Sequence, residues 1–200
     1  MFKLLFLSTL LLTTTALASN PWELKKDEND IKVYVRDVEG STFKEYKGET
    51  TIKNTSLTAV LDIIFDVDKY DKLFPDLSGQ KLVKPMGKYH HVHYTIVHTP
   101  WPIADRDNVT ELETKVADDG KSAHITINAK ANMVEKKKGL VRIPEGKGFW
   151  KLTENSDNSV TVVYQYHGNP GGSIPSWLAN SFVVSHPFET LENLHERVEK

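Results

Sequence analysis

The chain contains no cysteine. That absence excludes disulfide stapling, thiolate zinc sites, iron–sulfur clusters and cysteine nucleophiles. Net charge is nearly absent as well, since 25 Lys and Arg against 27 Asp and Glu leave −2 at pH 7. Without a basic surplus to neutralise a phosphate backbone, nucleic acid is not expected as a partner. Long apolar runs are also missing. The stretch Leu4 to Leu12, broken by Ser8 and Thr9, falls short of the ~20 residues that a spanning helix needs. No Pro/Gly/Ser-rich linker, repeat or low-complexity tract divides residues 19–200. They therefore read as one domain, long enough to bury roughly 70% of the surface its unfolded chain exposes.

The N-terminus carries the parts of an export signal. Lys3 supplies a positive charge, Leu4 to Leu12 an apolar core, and Ala16-Leu17-Ala18 the small-x-small pattern that signal peptidase reads. Cleavage is expected before Ser19, with a periplasmic or secreted destination. An exported chain without disulfides has to rely on its core for stability.

Hydrophobic period then sorts the elements. Ile31 to Asp37 alternates with period two and turns at Glu39-Gly40-Ser41, and Phe43 to Ile52 reads as its hairpin partner, with Gly48 as a possible bulge. Leu57, Val60, Leu61, Ile64 and Phe65 fall on one helical face, started by Thr55 or Ser56 as N-cap and stopped after Phe74 by Pro75. A meander of strands runs on to about His167. Pro175 to Glu199 is helical in character, with Val184, Phe188, Leu191, Leu194 and Val198 at helical spacing and a kink expected at Pro187. The sum is an α+β domain: a long antiparallel sheet, one early helix and one long closing helix.

The sheet does not read as a solid core. Ile125, Ile127, Ala129 and Ala131 share a face, and the small alanines leave space where a packed core wants bulk. Val160, Val162, Tyr164 and Tyr166 line one side of the last strand, and tyrosines there can fill a core while reaching a polar partner at its rim. A core that happens to use Ala and Tyr is the plainer alternative.

Three segments go beyond pattern: Thr99-Pro100-Trp101-Pro102-Ile103-Ala104-Asp105-Arg106-Asp107, the pair Gly139 to Ile143 with Gly148-Phe149-Trp150-Lys151-Leu152, and Asn169-Pro170-Gly171-Gly172-Ser173-Ile174-Pro175-Ser176-Trp177 running on to Asn180. Together, and in this order, they resemble the START domain, the lipid-transfer module of the steroidogenic acute regulatory protein family. The resemblance runs from about Phe43 to the C-terminus. It implies a helix-grip fold, a curved antiparallel sheet wrapped around a long C-terminal helix with an internal apolar tunnel. The chain departs from that pattern at Asn20 to Asp30, a short stand-in for the family's longer first helix.

The resemblance also ranks residues. Arg106 is expected to face the tunnel and meet a lipid's polar group; the alternative is an internal ion pair with Asp105, Asp107 or Glu111. Trp177 and Asn180, beside the Gly171-Gly172 loop, would form a tunnel mouth that touches membrane, unless Trp177 anchors the helix in the core. Tyr94, Ile127, Ala129, Trp150, Tyr164 and Val184 complete the expected ligand wall. A single hydrophobic ligand, transient membrane contact and a monomer are implied, with no cofactor.

Other chemistry finds less support. His91 and His93 share a strand face, but a closed metal site needs more ligands, so a solvated face is expected. Glu111 and Glu113 read as hydrated carboxylates, and Lys136-Lys137-Lys138 as a solvated tip able to touch anionic headgroups. Ser173, Ser176 and Ser185 lack a Gly-x-Ser-x-Gly elbow. Two alternatives to a lipid carrier remain open: a helix-grip enzyme of the polyketide cyclase or aromatase type, with Arg106, Tyr94 or Tyr164 as acid or orienting groups, and a lipid-responsive sensor or adaptor. No matched acid–base pair is visible in the sequence, so no enzyme is expected.

Overall fold

Ten strands form one sheet in the computed structural model, which describes residues 20–199. The expected signal segment and its cleavage point lie outside them. The strands are β1 (Glu23–Glu28), β2 (Ile31–Arg36), β3 (Glu45–Lys53), β4 (Leu77–Gly87), β5 (His90–Val97), β6 (Arg106–Val116), β7 (Ser122–Ala129), β8 (Val141–Arg142), β9 (Glu145–Glu154) and β10 (Ser159–Asn169). Their spatial order is β1-β2-β3-β10-β9-β7-β6-β5-β4, antiparallel throughout, while short β8 lies off this path and pairs in parallel with β6. The helices are α1 (Leu57–Phe65), α2 (Tyr70–Leu73) and α3 (Ser176–Val198).

Three expectations are corrected. The stand-in for a first helix is strand β1, because Asn29 and Asp30 both take positive φ (53° and 60°) and close a two-residue hairpin between Glu28 and Ile31. Gly48 makes no bulge, since the β3–β10 register runs unbroken through it; a Cβ there would lie 2.7 Å from Leu191 Cδ1, so glycine lets α3 settle on the sheet. The early helix is capped by Ser56 as expected, its Oγ accepting from Ala59 N at 3.3 Å, but it stops at Phe65 rather than Phe74. Asp66 leaves helical geometry (φ −78°, ψ 80°) and pairs with Arg197 of α3 at 3.2 Å, and the Tyr70 hydroxyl donates to the buried Ile64 carbonyl at 3.0 Å. A 3-10 turn and the four-residue α2 then carry the chain to Pro75.

Helix α3 is continuous across Pro187, whose missing N–H leaves the Val183 carbonyl without its helical donor. The proline separates two roles. Beyond it Phe188, Leu191 and Leu194 are buried against Val33, Ile52, Ile64 and Val162, a solid core between α3, α1 and the sheet. Before it the helix roofs open space. A smaller cluster, Val92, Tyr94 and Val109, forms on the other face of β5 and β6 under the 130–140 segment, with Val134 packed against it.

Candidate functional site

The space beneath the first half of α3 is a cavity of about 280 Å³. Strand alternation decides which side chains enter it. From β6, Arg106, Asn108 and Thr110 point in, while Asp107 and Val109 point out; from β5, Thr95 and Val97 point in. Tyr46, Trp150, Tyr164 and Tyr166 supply an aromatic wall, and Phe182, Val183 and His186 descend from α3. Trp150 and Tyr164 stack with centroids 4.0 Å apart, and the Tyr46 hydroxyl donates to that of Tyr164 at 2.8 Å. Tyr166 lies over a strip of glycine, since a Cβ on Gly146 would sit 2.0 Å from its hydroxyl.

Of the residues expected to meet a ligand, Arg106, Ile127, Trp150, Tyr164 and Asn180 line this cavity. Four others do not. Tyr94 belongs to the cluster on the other face, because β5 presents Thr95 rather than Tyr94 inward. Ala129 shares the face of Ile127 but is not part of the wall, and it pairs with Thr110 near the end of β7. Val184 packs on the core, and its neighbour Val183, about 100° round the helix, takes the cavity position. Trp177 is 72% exposed, so it neither lines the cavity nor anchors α3 in the core. Tyr46, Phe74 and His186 were missed, and only assembly of the sheet brings them together. Tyr166 had a signal, since it alternates with Tyr164.

The histidine expectation is also overturned. His91 and His93 are buried, not solvated, with His91 Nε2 3.1 Å from His93 Nδ1 and 3.4 Å from the Tyr70 hydroxyl. They seal the floor under α2 as neutral rings.

Arg106 dominates the electrostatics. It is 3% exposed, yet none of its three expected carboxylates pairs with it. Asp107 forms a bidentate pair with Arg142 at 2.8 Å and 2.8 Å, Asp105 binds His98 and Thr99 N, and Glu111 binds His90 and Lys130. Arg106 instead donates to the carbonyls of Ala104 and, at 3.4 Å, Gly171, while its buried Nε has no partner. The buried Oδ1 of Asn108, in the same wall, also lacks one. Burial pushes the Arg106 guanidinium below its usual range, opposed by the nearby Asp105 charge. Burial likewise holds the Tyr166 hydroxyl up at about 12 and His186 down at about 4. A largely apolar chamber with one underused cation at its edge is chemically suited to an amphiphile with an anionic or strongly accepting group.

Gly171 belongs to the loop between β10 and α3. Gly171 and Gly172 hold φ of 70° and 62°, and a Cβ on either would meet Arg142 O at 2.9 Å or Val141 Cγ1 at 3.1 Å. Asn169 Oδ1 accepts from Gly171 N at 2.9 Å, and Asn180 ties the start of α3 to Thr42 and Lys44. The loop therefore rests directly on β8 and on Arg106.

No family model matches the chain. An uncharacterized protein of Pseudomonas aeruginosa is 38% identical over 179 residues, 90% of this chain and 87% of its own length. Human phosphatidylcholine transfer protein is 27% identical over 171 residues, 82% of this chain and 78% of its own length. The crystal structure of a STAR-related lipid transfer protein fragment from Xanthomonas axonopodis matches with a TM-score of 0.82 at 38% identity, covering 90% of this chain and 99% of that one. The two of these relatives with a stated activity are lipid-transfer proteins. With its sheet closed by α3 as a helix-grip fold and that degree of identity, the chain belongs to the STAR-related lipid transfer family.

Proposed function

We propose that the protein is exported by cleavage before Ser19, binds one lipid in the cavity as a monomer, and carries it between membranes of the cell envelope. The observation that carries this reading is Arg106, a buried cation with an unpartnered Nε facing an apolar chamber. Each methylene taken out of water gains about 0.8 kcal/mol, but a lipid leaving a bilayer is already out of water. Apolar contact then cancels between membrane and protein, and the polar contact selects the cargo. That balance suits a shuttle rather than a store. The cavity volume lies near the low end of small-molecule sites, about 300–1,000 Å³, so a two-chain lipid requires the roof loop to move.

Two large apolar side chains support membrane contact. Trp101, 92% exposed in the loop after β5, and Trp177 on the first turn of α3 both lie beside segments that line the cavity. Tryptophan favours the headgroup level of a bilayer, and the exposed Lys136-Lys137-Lys138 tip suits anionic headgroups. The lipid-transfer relatives support the same reading.

Native mass spectrometry of protein purified from the envelope tests both parts. The expected mass is that of residues 19–200 plus one lipid, with transfer of labelled phosphatidylcholine between vesicles. A full-length mass overturns export; an empty protein that transfers nothing overturns the carrier.

A further inference from the structure

Ser78, His98 and Asp105, distant from every serine that the sequence singles out, meet at the rim of the cavity. Ser78 Oγ lies 2.7 Å from His98 Nε2, and His98 Nδ1 lies 2.8 Å from Asp105 Oδ2. The other Asp105 oxygen accepts from Thr99 N at 3.0 Å, which fixes the carboxylate. With Asp105 accepting at Nδ1, the imidazole carries its proton there and presents a lone pair to the serine hydroxyl. We infer that this serine–histidine–aspartate constellation hydrolyses carboxylic esters presented at the cavity mouth. The inference goes beyond carriage; only the placing of a lipid ester beside His98 rests on the contact proposed at Arg106.

Several independent features place the chemistry. His98 and Thr99 line the cavity together with Arg106, and Thr99 Oγ1 shares the Ala104 carbonyl with the Arg106 guanidinium. An amphiphile whose polar group meets Arg106 therefore has its ester region close to His98. Ser78 stands at a β-bulge: the β4–β5 register passes from Ser78↔Ile96 to Lys81↔Tyr94, leaving Gly79 and Gln80 without places in the ladder. Gly79 holds φ of 59°, a left-handed backbone residue within β4 immediately after the nucleophile. The Thr99 N–H bond, with His98 beside it, holds the Asp105 carboxyl below its usual range, so it stays ionised.

The reaction balances with water alone. Ser78 Oγ bonds to the ester carbonyl carbon and its proton passes to His98 Nε2. The carbon–alkoxide bond breaks, and the alkoxide leaves as an alcohol with that proton. Water then attacks the acyl–Ser78 ester, His98 takes its proton and returns it to Ser78, and the carboxylic acid leaves.

Mature protein incubated with p-nitrophenyl butyrate, a chain too short to depend on lipid carriage, is expected to release p-nitrophenolate with saturation. A fluorophosphonate probe should leave its adduct on Ser78 in peptide mapping. Ser78→Ala should lower release to the uncatalysed rate and abolish the adduct, with melting temperature unchanged, since Ser78 is outside the cavity wall. Asp105→Asn, which keeps an acceptor for Thr99 N, should slow release at least tenfold. Equal release by wild type and Ser78→Ala, or no adduct on Ser78, overturns the inference and leaves the three residues as a hydrogen-bonded bridge between strand and loop.

Discussion

Arg106 and Arg142 are both buried, and their surroundings give them opposite roles. Arg142 is saturated: two bonds to Asp107 and further bonds to the carbonyls of Ala131, Val134 and Glu135 fasten the 130–140 segment to the sheet. Burial pushes Asp107 up, and the paired Arg142 overrides it, holding the carboxyl below its usual range. Arg106 has only carbonyl partners and a free Nε. Replacing it with leucine therefore breaks no ion pair, and the melting temperature should hold. A charge-assisted hydrogen bond to a lipid is worth about 1.5–3 kcal/mol, so phospholipid affinity should fall roughly ten- to more than a hundredfold. Sterol affinity, resting on apolar contact, should change little. Undiminished phospholipid binding by a folded Arg106→Leu protein would rule out the contact. The Asp105-Arg106-Asp107 run was legible as important, but its pairing was not. Alternation sends Asp107 to the outer face, where β8 returns in parallel and delivers Arg142.

At the scale of elements, the loop from Asn169 to Ile174 separates cavity from solvent and touches β8. A Cβ on Gly172 would lie 3.9 Å from that of Val141, within the span of a disulfide. In a chain without cysteine, Val141→Cys with Gly172→Cys forms a single defined bridge. Oxidation is expected to stop lipid exchange between vesicles, and a reductant to restore it, if the loop is the door. Exchange that continues in the oxidised protein would place the entrance elsewhere. The positive φ at Gly172 costs the variant about 1–2 kcal/mol, which its reduced form reports by itself. Elements were also where parity misled. Period two puts His91 and His93 on one face of β5 but is silent on which face is inside. Phe65, Tyr70 and the rest of the α1–α2 corner cover that face and make it dry.

For the whole molecule, neutral buried histidines set the response to acid. Burial holds His93 down to about 3, and burial with the neighbouring His90 holds His91 to about 4; burial lowers His186 to about 4 as well. Unfolded histidine takes its proton near 6.5, so between that value and about 4 the unfolded state binds more protons. Stability is full above pH 6.5 and declines as pH falls, by up to about 1.4 kcal/mol per unit for each histidine. Melting curves should drop steadily from pH 7 to 4.5, and His186→Phe, which keeps a ring beside Phe74, should flatten the slope. A melting temperature that stays level over this range would contradict the burial.

What the sequence determined by itself was local or periodic: the strand run, the amphipathic early helix, the long closing helix, and the three segments that carry the family resemblance. These depend on neighbours within a few residues, or on motifs that survive as strings. Tertiary structure decided everything that needs two distant segments in contact. It chose which face of each strand is wet, left Arg106 without a carboxylate, exposed Trp177 and buried the histidines. It also drew Ser78 across to His98 and Asp105. Side-chain alternation has a period of two, so one assembled contact inverts every inward and outward assignment along a strand, and only the folded sheet supplies that contact.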